Sequence, residues 1–129
     1  MNFLKTLSLL ICFFSLNCTS NAQNKVSVLD FEAKTKNQKV QLIDVRTSAE
    51  FASGHLKNAK NISYGSDNFA EEMAKLDKTR AVYIYCAAGG RSGKAIPILQ
   101  KLGFEQIFDL EGGINAWKTA GKETVKYNE

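Results

Sequence analysis

The chain has 129 residues, with 17 Lys and Arg against 13 Asp and Glu, a net charge of +4 and three cysteines. The two signs are interspersed, which describes a solvated surface and excludes a nucleic-acid groove. No apolar run reaches the roughly 20 residues of a spanning helix, so no membrane span is expected.

Lys5 precedes the apolar run 7–16, and the polar, small-residue stretch 17–22 follows it. That order is the order of a cleavable export signal. Ser20, Asn21 and Ala22 put small residues at the cleavage positions, so residues 1–22 are expected to be removed and residues 23–129 to form one domain. The product is then exported, to the periplasm where the source has an outer membrane and otherwise to the medium. A lipid anchor on Cys18 is the competing reading. It fits less well, because Asn17 and Ser15 match a lipoprotein cleavage box poorly. Cys12 and Cys18 both fall in the signal, so Cys86 is left alone and no internal disulfide forms. An isolated thiol in an oxidising compartment is either buried or used.

After the signal the pattern alternates. Residues 28–34 have helical spacing, and Val40 to Asp44 reads as a strand. Thr47 or Ser48 can cap a brief helix carrying Glu50 and Phe51, which Ser53 and Gly54 end. Asn61 to Ser63 is a weak strand, and Asn68 to Leu76 a helix with Phe69, Met73 and Leu76 on one face. Ala81 to Tyr85 is the clearest strand and runs directly into Cys86. A glycine-containing loop follows, then a helix from about Ser92 to Leu102 closed by Gly103. Pro97 inside that helix should remove one backbone bond and bend it. Gln106 to Leu110 is a further strand and Gly113 to Thr119 a last helix. Strands separated by helices predict an α/β fold, a central parallel sheet with helices on both faces. Ligands of such sheets bind outside the carboxyl ends of the strands, where Cys86 stands.

The segment Cys86-Ala87-Ala88-Gly89-Gly90-Arg91-Ser92 carries the chemistry. Two alanines and two glycines leave the backbone unobstructed, so successive N–H groups can curl around one point. The following helix adds its unsatisfied amides and the positive end of its dipole. A cysteine at that point is expected to be a thiolate, and the same amides would hold a donor oxyanion and then a persulfide anion without a general base. Phosphatases use a similar cradle with C-x5-R. Here the spacing is C-x4-R and Tyr85 precedes the cysteine, and the tighter loop suits a sulfur atom better than a phosphoryl group.

Three ordered segments resemble the rhodanese family over most of residues 23–129. Leu42 to Arg46, with Glu50-Phe51 and Gly54 to Ile62, is similar to its first signature. Cys86 to Ser92 is similar to its active-site loop, and Leu110 to Trp117 to its carboxyl-terminal signature. The resemblance implies the α/β rhodanese fold and sulfur transfer from thiosulfate or a related persulfide donor to a thiophilic acceptor, cyanide, a thiol or a protein. Cys86 is implied as the nucleophile, the amides of Ala87, Ala88, Gly89, Gly90, Arg91 and Ser92 as the donor site, and no metal or organic cofactor. Asp44 and Arg46 are implied as a polar network steadying the loop. Alternatively Asp44 caps a turn and Arg46 pairs with Glu50 to hold the fold. Arg91 either faces the donor or points outward with only its amide contributing.

Several other side chains have plainer expectations. Lys94 reads as solvated, His55 as a turn hydrogen bond, Phe108 as core, and Trp117 as core or a wall of the pocket. The segment 122–129 is expected to fray. The alternative function is a persulfide carrier or adaptor serving a partner protein, with little activity on free thiosulfate.

Overall fold

The structure is a computed structural model and describes residues 24–37 and 39–126. The expected signal at 1–22 and residues 127–129 lie outside the described residues. Five strands, β1 (Lys25–Val26), β2 (Gln41–Asp44), β3 (Lys60–Asn61), β4 (Val82–Tyr85) and β5 (Ile107–Leu110), form one sheet in the order β1-β5-β4-β2-β3. Every pairing is parallel, so each connection crosses over a face, and five helices make these crossings or flank them. They are α1 (Val28–Thr35), α2 (Ser48–Ser53), α3 (Phe69–Ala74), α4 (Gly90–Leu102) and α5 (Gly113–Thr119).

Side-chain alternation along the strands divides the core in two. Ile43, Val82, Ile84, Cys86 and Ile107 face α3 and α4, packing on Phe69, Met73, Ala95, Ile96 and Leu99. Leu42, Tyr83, Tyr85 and Leu110 face the other way onto Phe31 of α1 and Ile114 and Trp117 of α5. All four residues of β4 are buried, as expected of a central strand covered on both sides.

Local chemistry sets the element ends. Thr47 closes a capping box on α2, its hydroxyl accepting from the Glu50 amide at 3.2 Å while the Glu50 carboxylate accepts from the Thr47 amide at 3.3 Å. Gly103, at φ 103°, ends α4 in the left-handed conformation, with Phe104 N–H returning to the Leu99 carbonyl at 3.1 Å. α4 starts at Gly90, two residues before the expected Ser92, because the positive-φ turn needs only Gly89, at φ 108°. It continues through Pro97, whose missing N–H leaves the Gly93 carbonyl without its helical donor. The weak strand falls at Lys60–Asn61, one residue before its expected start.

The expectation of a frayed tail is corrected over the part described. His55 and Val125 exchange two backbone hydrogen bonds of 2.8 Å as an isolated antiparallel bridge. Trp117 Nε1–H donates to the Glu123 carbonyl at 2.9 Å, and Lys122 pairs with Glu32 at 3.1 Å. These bonds lay residues 122–126 against the α1/α5 side of the molecule, giving a polar segment the partners that its composition does not reveal.

Candidate functional site

Cys86 directly follows β4, with its side chain on the α4 face and only 1% of its surface exposed. The loop above it turns back at once. The Gly89 amide donates to Cys86 Sγ at 3.0 Å, and the Ser92 hydroxyl, in the first turn of α4, lies 3.4 Å from the same sulfur. Ser92 Oγ also lies 3.3 Å from the Gly89 carbonyl, tying the loop to the helix. Burial pushes the Cys86 thiol up, but the hydroxyl and amide of Ser92 and the amides of Gly89 and Ala88 outweigh it and set the pKa below that of an ordinary thiol. The sulfur thus lies buried among backbone amides and one hydroxyl, donors that favour its thiolate form.

The aim of those donors depends on a contact with α5. Ile114 N–H donates to the Cys86 carbonyl at 2.9 Å and Asn115 N–H to the Ala87 carbonyl at 3.0 Å. In a trans peptide the N–H points opposite the carbonyl, so holding these two carbonyls toward α5 turns the amides of Ala87 and Ala88 away from it, into the loop. Close approach requires glycine at 113. Its φ is +60°, and a Cβ there would stand 2.5 Å from the carbonyl oxygens of both Cys86 and Ala87. The segment Leu110 to Trp117 therefore serves the loop around Cys86 through backbone atoms alone.

Asp44 and Arg46 form a buried pair beside the end of β4. The Asp44 carboxylate accepts from the Arg46 amide at 2.9 Å, from Nε at 3.1 Å and from Nη2 at 2.8 Å, while Nη2 also donates to the Gly54 carbonyl at 2.7 Å. Burial alone would lower the Arg46 pKa, but the hydrogen bond and charge of Asp44 raise it above the ordinary value. The guanidinium lies 5.8 Å from the Tyr85 ring centre, and the Val45 amide donates to the Tyr85 carbonyl at 3.0 Å. This network fixes the residue before Cys86. The alternative pairing of Arg46 with Glu50 does not form: the fork of Arg46 folds back on Asp44, and Glu50 is taken by another arginine.

That arginine is Arg91. Its Nη1 and Nη2 donate to the two oxygens of Glu50 at 2.7 and 2.9 Å. The side chain neither points freely outward nor presents a lone cation to the loop; it spans from α4 to α2, and only partly exposed atoms remain at its face. Its pKa is raised first by the Glu50 hydrogen bond, and the Cys86 charge adds to the rise.

Lys94 is exposed and Trp117 is buried, as read from the sequence. His55 Nδ1–H donates to the Phe51 carbonyl at 2.9 Å, the turn bond expected of it, with its ring stacked on Phe51 at 3.7 Å. Glu50, Gly113 and Asp109 were not singled out for the site. Glu50 and Gly113 lie within the two outer signatures, so only the partner across space was missing. Among the described residues no cluster of three or more His, Cys, Asp or Glu side chains could hold a metal, and no helix is long and apolar enough to cross a membrane.

Comparison with known proteins adds independent support. The family described as Rhodanese-like domain matches residues 27–120. YqhL of Bacillus subtilis is 40% identical over 80 residues, covering 62% of this chain and 62% of YqhL. The probable adenylyltransferase/sulfurtransferase MoeZ of Mycobacterium tuberculosis is 39% identical over 80 residues, 62% of this chain but 20% of MoeZ, so the chain spans less than two thirds of the length of either relative. The thiosulfate sulfurtransferase GlpE of Shewanella oneidensis is 30% identical over 95 residues, 74% of this chain and 92% of GlpE. Among solved structures, a rhodanese-related protein of Thermoplasma volcanium superposes with a TM-score of 0.71 at 29% identity, covering 81% of this chain and 99% of that one.

Proposed function

Because the chain belongs to the rhodanese-like domain family, we propose that it moves sulfane sulfur from thiosulfate or a related persulfide donor to a thiophilic acceptor through a persulfide on Cys86. Sulfur transfer in general is supported by the family and by the sulfurtransferase relatives. The observation that carries the finer reading is the Gly89 amide 3.0 Å from a thiol whose pKa lies below the ordinary value. The Cys86 thiolate attacks the outer sulfur of the donor. The S–S bond of thiosulfate breaks, sulfite leaves with the bonding pair, and Cys86–S–S⁻ remains. The loop amides that held the thiolate then face the persulfide anion. A nucleophilic acceptor takes the terminal sulfur and returns Cys86 as thiolate, so the cycle needs no general base and no second cysteine.

The test is thiocyanate formation from thiosulfate and cyanide by residues 23–129, beside Cys86→Ser. Turnover that the substitution abolishes supports the reading; equal turnover in both proteins overturns it.

One observation favours the carrier reading as a second possibility for the donor. Arg91 is neutralised by Glu50, and Ala87 and Ala88 add no charge, so the loop offers a small dianion little beyond amides. A neutral or protein-borne persulfide does not need that charge. A sulfur adduct formed from a partner or organic persulfide, with negligible thiosulfate turnover, would select it.

Residues 1–22 support a proposal of export, with the remaining residues as one domain delivered to the periplasm or the medium. Amino-terminal sequencing of the exported protein tests it: a start at residue 23 supports cleavage after Ala22, a lipid-bearing Cys18 replaces it with an anchor, and the intact segment in the cytoplasm contradicts both.

A further inference from the structure

Among the described residues, Asp109 is the fully buried acid that neither the sulfur chemistry nor the Asp44–Arg46 pair uses. It lies in β5, opposite Ile84 of β4 and Lys25 of β1, and is 1% exposed. Phe108 and Leu110 turn toward the α1/α5 face, so alternation sends the Asp109 carboxyl to the α4 face, the side on which Ile84 and Cys86 also lie. Of the buried α4 side chains, Ser92, Ala95, Ile96 and Leu99, Ser92 is the polar one, and its hydroxyl is 3.4 Å from Cys86 Sγ. Among the described residues neither carboxyl oxygen has a hydrogen-bond partner. A buried carboxyl without partners weakens a fold, and this one lies on the same side of the sheet as Ser92 and the sulfur.

We propose that Asp109 is a positioning residue for the reaction: acting through the Ser92 hydroxyl, it sets how firmly the Cys86 sulfur is held as an anion. A serine hydroxyl has one proton to donate. In the structure that proton stands between the Gly89 carbonyl at 3.3 Å and the Cys86 sulfur at 3.4 Å. When Asp109 is neutral, its own O–H can donate to Ser92 Oγ and leave the Ser92 proton to those two acceptors. When Asp109 is ionised it competes for that proton and adds a like charge nearby. Thiolate is therefore favoured while Asp109 is protonated and disfavoured once it ionises.

Burial raises the Asp109 carboxyl to about 6, although the charge of Lys25 and the nearby Ser92 hydroxyl, which makes no direct hydrogen bond to it, pull it down. The groups facing it are Lys25 from β1 and Ser92 from α4, with apolar Ile84 from β4, and Arg91 is the cation acting on Cys86 itself.

The inference deepens the reading of Cys86 as sulfur carrier, and its test uses no sulfur donor, so that the two can fail separately. The measurement is the rate of Cys86 alkylation by iodoacetamide against pH, read by mass on the Cys86 peptide. The wild-type rate should rise over a broader span than one titrating group gives, with an inflection near pH 6. Asp109→Asn, an amide that donates to Ser92 at every pH, should give a single-group curve and a rate at neutral pH raised about threefold or more. Ser92→Ala should remove the difference between Asp and Asn at position 109. A single-group curve in the wild type overturns the proposal whether or not the variant folds. So does an Asp109→Asn effect of equal size in the Ser92→Ala background, which would place the coupling outside the hydroxyl.

Discussion

Glu50 and Arg91, 41 residues apart, are locked by two hydrogen bonds of 2.7 and 2.9 Å that join the first turn of α2 to the first turn of α4. The Arg91 hydrogen bond foremost holds the Glu50 carboxyl down at about 2, so the pair is intact at any pH at which the protein would be assayed. Gln at position 50 keeps the ability to cap Thr47 while releasing the guanidinium. Glu50→Gln is expected to lower KM for thiosulfate severalfold, since a partly exposed pair of this kind is worth about 1 kcal/mol or less. A neutral persulfide donor should be turned over as before. Parallel kinetics with the two donors check this; an equal loss with both would mean that Glu50 only shapes the loop.

The Asp44–Arg46 pair is a different case because it is buried. Asp44→Ala strips the Arg46 guanidinium of its counter-charge and leaves the Gly54 carbonyl as its remaining bonded partner. Breaking one side of a buried pair typically costs about 3 to 5 kcal/mol. Urea unfolding should show that loss. The Cys86 alkylation rate of the molecules still folded should fall less steeply than the stability, since the pair supports Tyr85 and not the sulfur itself.

Gly113→Ala is expected to cost about 2 kcal/mol or more, because it adds a Cβ at positive φ and drives it to 2.5 Å from two carbonyl oxygens. The displaced carbonyls also turn the Ala87 and Ala88 amides. Thiol reactivity should therefore fall together with stability, which distinguishes this change from Asp44→Ala. Urea midpoints and alkylation rates of the two variants, measured side by side, test the contrast.

Asp109 makes stability depend on pH. The fold prefers the neutral acid, so its contribution is complete below the ordinary value of 3.8 and is lost as pH rises through about 6. Above that, the ionised, buried group lowers stability by an amount on the order of 2 to 3 kcal/mol. Asp109→Asn should therefore unfold at higher urea than the wild type at pH well above 6 and differ little near pH 4. An equal difference at both values would remove ionisation as the cause.

How far residues alone lead can be seen element by element. β4 and its run into Cys86 were legible because five consecutive apolar or aromatic residues cannot be solvated, and Gly103 marks the end of α4 by its conformation. The Cys86 loop was legible for the same local reason. β1 was not, since two residues carry no period, and Lys25 and Val26 become a strand only by pairing with Asp109 and Leu110. The partner of Arg91 was not legible either: Glu50 is nearer Arg46 in sequence and was weighed there as an alternative partner, whereas packing brings it to Arg91 and leaves Arg46 with Asp44. Asp109 read as an ordinary polar member of an alternating strand, and only a sheet with helices on both faces buries it. The bonding of residues 122–126 likewise depends on His55 and Trp117 being in place first.

The most direct test is the intact mass of residues 23–129 after thiosulfate treatment and removal of excess donor, beside Cys86→Ser. The proposed chemistry predicts a gain of one sulfur atom, absent from the variant and discharged by cyanide with recovery of the starting mass. Folded, reduced protein that gains no sulfur from thiosulfate or from an organic persulfide would contradict the claim that Cys86 is a sulfur carrier.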